Sequence, residues 1–260
     1  PTDNDYGANL QTKLGAWKEA TASPVLKDWA YKKEGNIIKI SAIYDLKEVS
    51  SELTLEYQIS SEGVLLVQQQ LNISEEKVPM PFRVGMQMTL PKEFDAISYY
   101  GRGPHENYSD RKVSSLLGIY DQSVEEQHYP YIRPQETGNK SDVRWLELTS
   151  DLISLRVEAE ETFNFTALHY LMKDLDDGEQ KDQRHAAEVK SRELTNLFID
   201  EAHTLIGAGS ASASTGRPAG CGRAGPRAGW TAGCSTPTSQ TGRSASSSSR
   251  SSPTASCLTA

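Results

Sequence analysis

The chain has 260 residues, 37% of them hydrophobic and 24% charged, with a formal net charge of −8. That length holds one large β domain or two small ones, and the acidic balance speaks against nucleic acid and anionic membrane as partners, because both are bound through a basic face. The longest aliphatic run is Val64-Leu65-Leu66-Val67, far short of the roughly 20 apolar residues of a membrane-spanning helix.

The chain opens with "PTDNDYG" at residues 1–7. Asp3, Asn4 and Asp5 suit an Asx-type turn and Gly7 a hinge. The start reads as if cut from a longer chain: it has no Met and no basic stretch followed by an apolar core, hence no secretory leader. Period-2 alternation then dominates, the pattern of half-buried strands. It runs through 37–46, through Leu53, Leu55, Tyr57 and Ile59, and, after the turn at Ser60-Ser61-Glu62-Gly63, through 65–73. Phe82, Val84, Met86, Met88 and Leu90 continue it, followed by 96–100, 143–148, 153–157 and 196–199. Only 167–173 and 184–190 read as helical. Many strands with frequent turn signals and no long helices between them predict an all-β antiparallel sandwich or barrel.

Two polar stretches stand out. The first is "YYGRGPHENYSDR" at 99–111. Gly101 and Gly103 admit backbone conformations closed to other residues and Pro104 fixes the next φ, so a rigid exit from a strand is expected there. Asp110 and Arg111 read as structural, with an Arg111–carboxylate pair and an Asn side chain capping the turn. His105, Glu106 and Asn107 suit structure and ligand contact equally: acids, amides and aromatics together offer what a neutral sugar needs. The second stretch, "HYPYIRPQETGNK" at 128–140, reads as a long structured loop crossing the sheet.

Other chemistry finds little support. His105, His128, His169, His185 and His203 have no metal-ligand spacing, there is no phosphate-binding glycine loop, and there is no nucleophile elbow. Cys221, Cys234 and Cys257 all lie in the last 40 residues and match no zinc motif. A body without cysteine carries no disulfide framework, which with the missing leader favours the cytoplasm.

The composition changes after residue 206. Residues 207–260 hold 13 Ser, 10 Ala, 9 Gly and 5 Arg, with no Asp, Glu or Lys. Such a segment buries too little apolar surface to offset an ordering entropy of roughly 1–2 kcal/mol per residue, and disorder is expected. It reads either as a natural low-complexity tail or as GC-rich DNA translated in a shifted frame. The domain reading is therefore 1–206 folded and 207–260 tail.

Taken together, "PTDND-G" at 1–7, "W-KEA" at 17–20, the 99–111 stretch, "HYPYIRPQETGNKSDVRWLEL" at 128–148, "FNFTALHY" at 163–170 and "LFIDEAHTLIG" at 197–207 resemble the C-terminal domain, often called the small chain or domain 5, of the family 2 β-galactosidases. The resemblance implies a galactose-mutarotase-like antiparallel supersandwich, here missing its last strands, in an enzyme that hydrolyses terminal β-D-galactose with retention. It implies that the catalytic glutamates, and the Mg and Na ions of the family, belong to other domains, so that this chain has no catalytic residue, cofactor or metal of its own. The domain would pack against the catalytic barrel, on the same chain or in a large subunit. It would complete the active-site mouth for a β-galactoside and support assembly of a homo-oligomer. Asp3, Asn4, Asp5 and Gly7 would then lead into a mobile loop at that mouth, with residues 8–16 as its body, and His105, Glu106 and Asn107 would lie near the sugar. The pattern departs at Gly207, where the family continues to a glycine turn and a sugar-stacking Trp. Trp230 lies too far along to serve, so low stability and weak galactoside binding are expected of the isolated chain. A stand-alone carbohydrate-binding module and an aldose-1-epimerase-like enzyme using His105 and Glu106 are the alternatives.

Overall fold

The computed structural model describes residues 3–73, 81, 83–176, 188–200, 203–210 and 254–257. Three short helices come first: α1 (Asp3–Gly7), α2 (Leu10–Lys13) and α3 (Gly15–Ala22). A meander follows: β1 (Val25–Glu34), β2 (Ile37–Leu46), β3 (Ser51–Ser60) and β4 (Val64–Ile73). Then come β5 (Gly85–Leu90), β6 (Ala96–Gly103), β7 (Leu116–Ser123), β8 (Lys140–Thr149), β9 (Ile153–Leu168), β10 (Thr195–Asp200), β11 (His203–Ser210) and β12 (Thr254–Cys257). Every strand pairing is antiparallel.

The turns that build the meander follow from their residues. Glu34 pairs with Ile37 across Gly35-Asn36, and Gly35 has φ +59°, the left-handed backbone that a two-residue hairpin demands and glycine accepts cheaply. Between β3 and β4, Gly63 has φ +82° and the Ser60 hydroxyl accepts hydrogen bonds from the amides of Glu62 and Val64.

The strand order is β1-β2-β3-β4-β11-β9-β10-β5-β12, with β8, β6 and β7 extending from the other side of β9. β9, with 16 residues the longest strand, serves two partners on one edge: Ile153 to Ala159 pair with β11, and Asn164 to Leu168 pair with β10. The two layers of this antiparallel sandwich close on a core of Met86, Ile97, Tyr99, Leu146, Phe165 and Leu197, among others, with Val67 reaching in from β4. Tyr99 and Phe165 meet edge to face at 5.3 Å, the geometry aromatic pairs prefer. A second cluster forms where α3 lays Trp17 and Ala20 on Leu46, Val49, Leu53 and Leu55, so the "W-KEA" stretch is a helix that caps one end of the meander.

Several sequence expectations change. Asp3 to Gly7 form a helical turn rather than an Asx turn before a loop, and most of 8–16 is helical too. Residues 167–168 end β9 instead of starting a helix, and only Met172–Asp174 makes a 3-10 turn in that stretch. Of the expected helix at 184–190, residues 184–187 lie outside the described residues and 188–190 are not α-helical. Phe82 also lies outside the described residues, and β5 begins at Gly85. β11 runs from His203 to Ser210, and Thr254–Cys257 pairs with the edge of β5. The rest of the tail, Trp230, Cys221 and Cys234 included, lies outside the described residues.

Candidate functional site

The polar stretch at 99–111 starts inside β6, whose last residue is Gly103. Gly101 and Gly103 are not in the left-handed region, so backbone freedom is not what selects them; space is. A Cβ on Gly101 would stand 2.7 Å from Val143 Cγ2, and one on Gly103 would stand 2.2 Å from the Tyr99 hydroxyl and 2.8 Å from the Tyr120 ring. Gly103→Ala is expected to lower Tm by several degrees in a thermal melt, the consequence of roughly 1–3 kcal/mol of overpacking. The Gly103–Pro104 peptide is cis.

Beyond Pro104 the chain is bound to a second loop some 30 residues away. Asn107 is wholly buried and uses its full side-chain capacity. Its Nδ2 donates to the carbonyls of Arg102 and His105, each at 3.0 Å, and its Oδ1 accepts from the Ser141 amide at 3.0 Å and from the Ser141 hydroxyl. The two loops also exchange backbone bonds: the Asn107 amide donates to the Asn139 carbonyl (2.8 Å), and Asn139 Nδ2 returns one to the Asn107 carbonyl (2.7 Å).

Glu106 is held beside it by four donors. Its Oε1 accepts from Arg111 Nη2 at 2.6 Å and from the Tyr131 hydroxyl; its Oε2 accepts from the Gly138 amide at 2.8 Å and the Thr137 hydroxyl at 3.1 Å. Burial opposes the charge, but the bonds from Tyr131, Gly138, Arg111 and Thr137 outweigh it and hold the carboxyl below its usual range. Gly138 is required where it stands: φ is +81° and a Cβ would meet the Gln127 carbonyl oxygen at 2.6 Å.

Lys140, 2% exposed, lies just past this latch. Burial pushes its ammonium down to about 8 against the opposing attraction of Glu106. Asp142, at φ +52°, takes Arg102 Nε at 2.5 Å and Lys112 Nζ at 2.9 Å and is held below its usual range, chiefly by the Arg102 hydrogen bond. The His128 ring meets that of Tyr170 at 4.4 Å with their planes tilted by 35°, and burial lowers the His128 pKa.

The expected site residues therefore separate. Glu106 and Asn107 sit at the centre of a loop-to-loop latch, together with Arg111, which forms the expected Arg–carboxylate pair. His105, Pro104 and Asp110 are exposed. Asn4, Asp5 and Gly7 belong to α1, as does the backbone of Asp3; the hydrogen-bond partners of Glu106 and Asn107 named above come instead from 102–111 and 131–141. Lys140, Thr137, Ser141 and Tyr131 were not picked out from sequence. The cue to Thr137, Lys140 and Ser141 was the polar run "ETGNKSD" at 136–142, which leads into β8; Tyr131 had no such cue.

The whole of this architecture lies within the match to a family model described as "Beta galactosidase small chain", which covers residues 1–218, short only of the pairing of Thr254–Cys257. The chain belongs to the β-galactosidase small-chain family. It is 37% identical over 150 residues to a β-galactosidase of Priestia megaterium, covering 58% of this chain and 14% of that protein. A β-galactosidase of Staphylococcus xylosus is 29% identical over 216 residues, 81% of this chain and 21% of the relative. One from Lactobacillus delbrueckii subsp. bulgaricus is 35% identical over 171 residues, 65% of this chain and 17% of the relative. The chain thus corresponds to about a fifth or less of the length of these relatives. Among the described residues of this small-chain domain, no three His, Cys, Asp or Glu side chains gather as an ion site, and no helix is long and apolar enough to cross a membrane.

Proposed function

We propose that this chain serves as the small-chain part of a β-galactosidase, an enzyme that releases terminal β-D-galactose from β-galactosides with retention. The observation that carries the reading is the small-chain family match over residues 1–218. In this role the domain packs on the catalytic part, shapes the mouth of its active site and supports assembly into an oligomer. The reacting carboxylates, which retaining hydrolysis needs about 5–5.5 Å apart, come from the catalytic part, as do any bound metal ions. Glu106 has a structural part here: four donors hold it as a carboxylate between the two loops. The latch then acts at one remove, fixing the exposed 104–105 corner to the body of the sandwich.

The test is complementation. The full chain is mixed with the Priestia megaterium β-galactosidase from which the matched segment has been removed, and hydrolysis of o-nitrophenyl β-D-galactoside is followed. At least a tenfold rate increase over either component alone is expected. No increase overturns the proposal, and galactose binding without hydrolysis would favour an independent sugar-binding module.

A further inference from the structure

On one face of the meander, cross-strand partners line up in rows. Leu26 stands opposite Tyr44, Trp29 opposite Ala42 and Tyr31 opposite Ile40; Ala42 then faces Leu55, Ile40 faces Tyr57 and Ile38 faces Ile59. Directly opposed residues in antiparallel strands share a face, so these residues form one mainly apolar surface that runs into the core, with Lys33 opposite Ile38 and Gln69 opposite Leu55 as its polar members. Toward the core it is covered: Leu55 is 2% exposed and Val67 4%. Its β1 margin and the end near Ile59 are not: Trp29 is 59% exposed and Tyr31 69%, stacked on each other at 6.1 Å, with Leu26, Ile38 and Ile59 also exposed. An exposed apolar patch that continues a buried face marks a contact surface.

The same strand has a free edge. Among the described residues β1 pairs only with β2. Past the bulge between Leu26 and Asp28, six residues from Trp29 to Glu34 keep regular register and present an edge with no strand partner among the described residues, on which the Trp29 amide is held by Asp28 Oδ1 at 2.8 Å; an open strand edge is the feature that recruits a further strand.

We infer that β1 is the seam at which this chain joins the rest of its β-galactosidase. An extended apolar segment of that polypeptide adds to the Trp29–Glu34 edge and covers Leu26, Trp29, Tyr31 and Ile38. The inference rests on the function proposed above and names the surface it uses. The occupant follows from length and chemistry: the match spans only 14–21% of the relatives, leaving most of such an enzyme to supply the strand, and the site offers a strand edge joined to a dry face.

The experiment uses the full chain and the truncated Priestia megaterium enzyme, with hydrogen–deuterium exchange across Val25–Glu34 and binding by sedimentation. Amide exchange in β1 is expected to slow at least tenfold in the mixture. The double variant Trp29→Ser/Tyr31→Ser is expected to bind at least tenfold more weakly with an unchanged melt, while Leu116→Ser/Ile119→Ser, exposed on β7, binds normally. Binding without β1 protection, or binding indifferent to the Trp29/Tyr31 change, overturns this inference and leaves the small-chain role intact. Absence of binding overturns both. Protection of β1 that grows with the concentration of the chain alone would assign the edge to a second copy and overturn the inference too.

Discussion

Asn107→Ala is expected to lower the free energy of unfolding by about 3–5 kcal/mol. The side chain is fully buried and makes four hydrogen bonds. Its removal strands the His105 carbonyl and the amide and hydroxyl of Ser141, and leaves the Arg102 carbonyl only the Tyr99 hydroxyl at 3.5 Å. Each buried group left without a partner costs about 1–3 kcal/mol, and the groups act as one network, so the losses do not simply add. Arg111→Ala supplies the contrast. Its side chain is 55% exposed and Glu106 keeps three other donors, so a cost of about 1 kcal/mol or less is expected. Urea unfolding of the two variants checks the pair of values. Equal and small losses would mean that the two loops are held by something other than the Asn107 network.

The second large effect has the opposite sign. Lys140→Met is expected to stabilise the domain by about 3 kcal/mol at pH 7, the equivalent of moving an ammonium from about 8 back to its ordinary value near 10.5. Between about 8 and 10.5 the unfolded chain carries a proton on Lys140 that the folded chain has released, so wild-type stability rises with pH across that window and the penalty is fully present below it. The Met variant lacks this rise. A long unbranched apolar side chain suits the space that Lys140 fills against the Phe165 register position. Chemical denaturation at pH 7 and pH 9.5 reads both quantities. An unchanged slope in the variant would show that the ammonium is not desolvated in the folded protein. Glu106 keeps its charge in the variant, because the donors that lower its pKa lie on Tyr131, Gly138, Arg111 and Thr137.

How much of this was legible in the sequence depends on where each residue's partners lie. β3 could be read from alternation because in its first half Ser51, Leu53 and Leu55 are buried while Glu52 and Thr54 between them are not. β1 could not: all ten of its residues are exposed, and the bulge at Leu26/Asp28 breaks the alternation where it would begin. The helices at 3–22 were hidden by "DNDYG", whose residue types favour turns in isolation. The polar stretch at 99–111 was visible as a cluster, and so was the alternative of an Arg–carboxylate pair with an Asn cap. The identity of the partners was not, since Thr137, Gly138 and Ser141 are some 30 positions away and no local pattern ties a loop to another loop. Gly101 and Gly103 were noticed for the wrong reason: their value is the missing Cβ beside Val143, Tyr99 and Tyr120, a matter of tertiary packing. Lys140 looked like one more surface charge ahead of a strand, and only the fold reveals that it is dry.

The pairing of β4 with β11 has a consequence on the ribosome. Val64 to Ile73 are synthesised some 130 residues before His203 to Gly207, the partners that flank them in the finished sheet. At about 5–20 residues per second, the outer edge of β4 waits roughly ten seconds for its neighbour to emerge. Throughout that interval the nascent meander has two open sides, one at β1 and one at β4. An open edge of this kind is a template for non-native pairing until its partner arrives, so the order in which this sandwich receives its strands sets how long that hazard lasts.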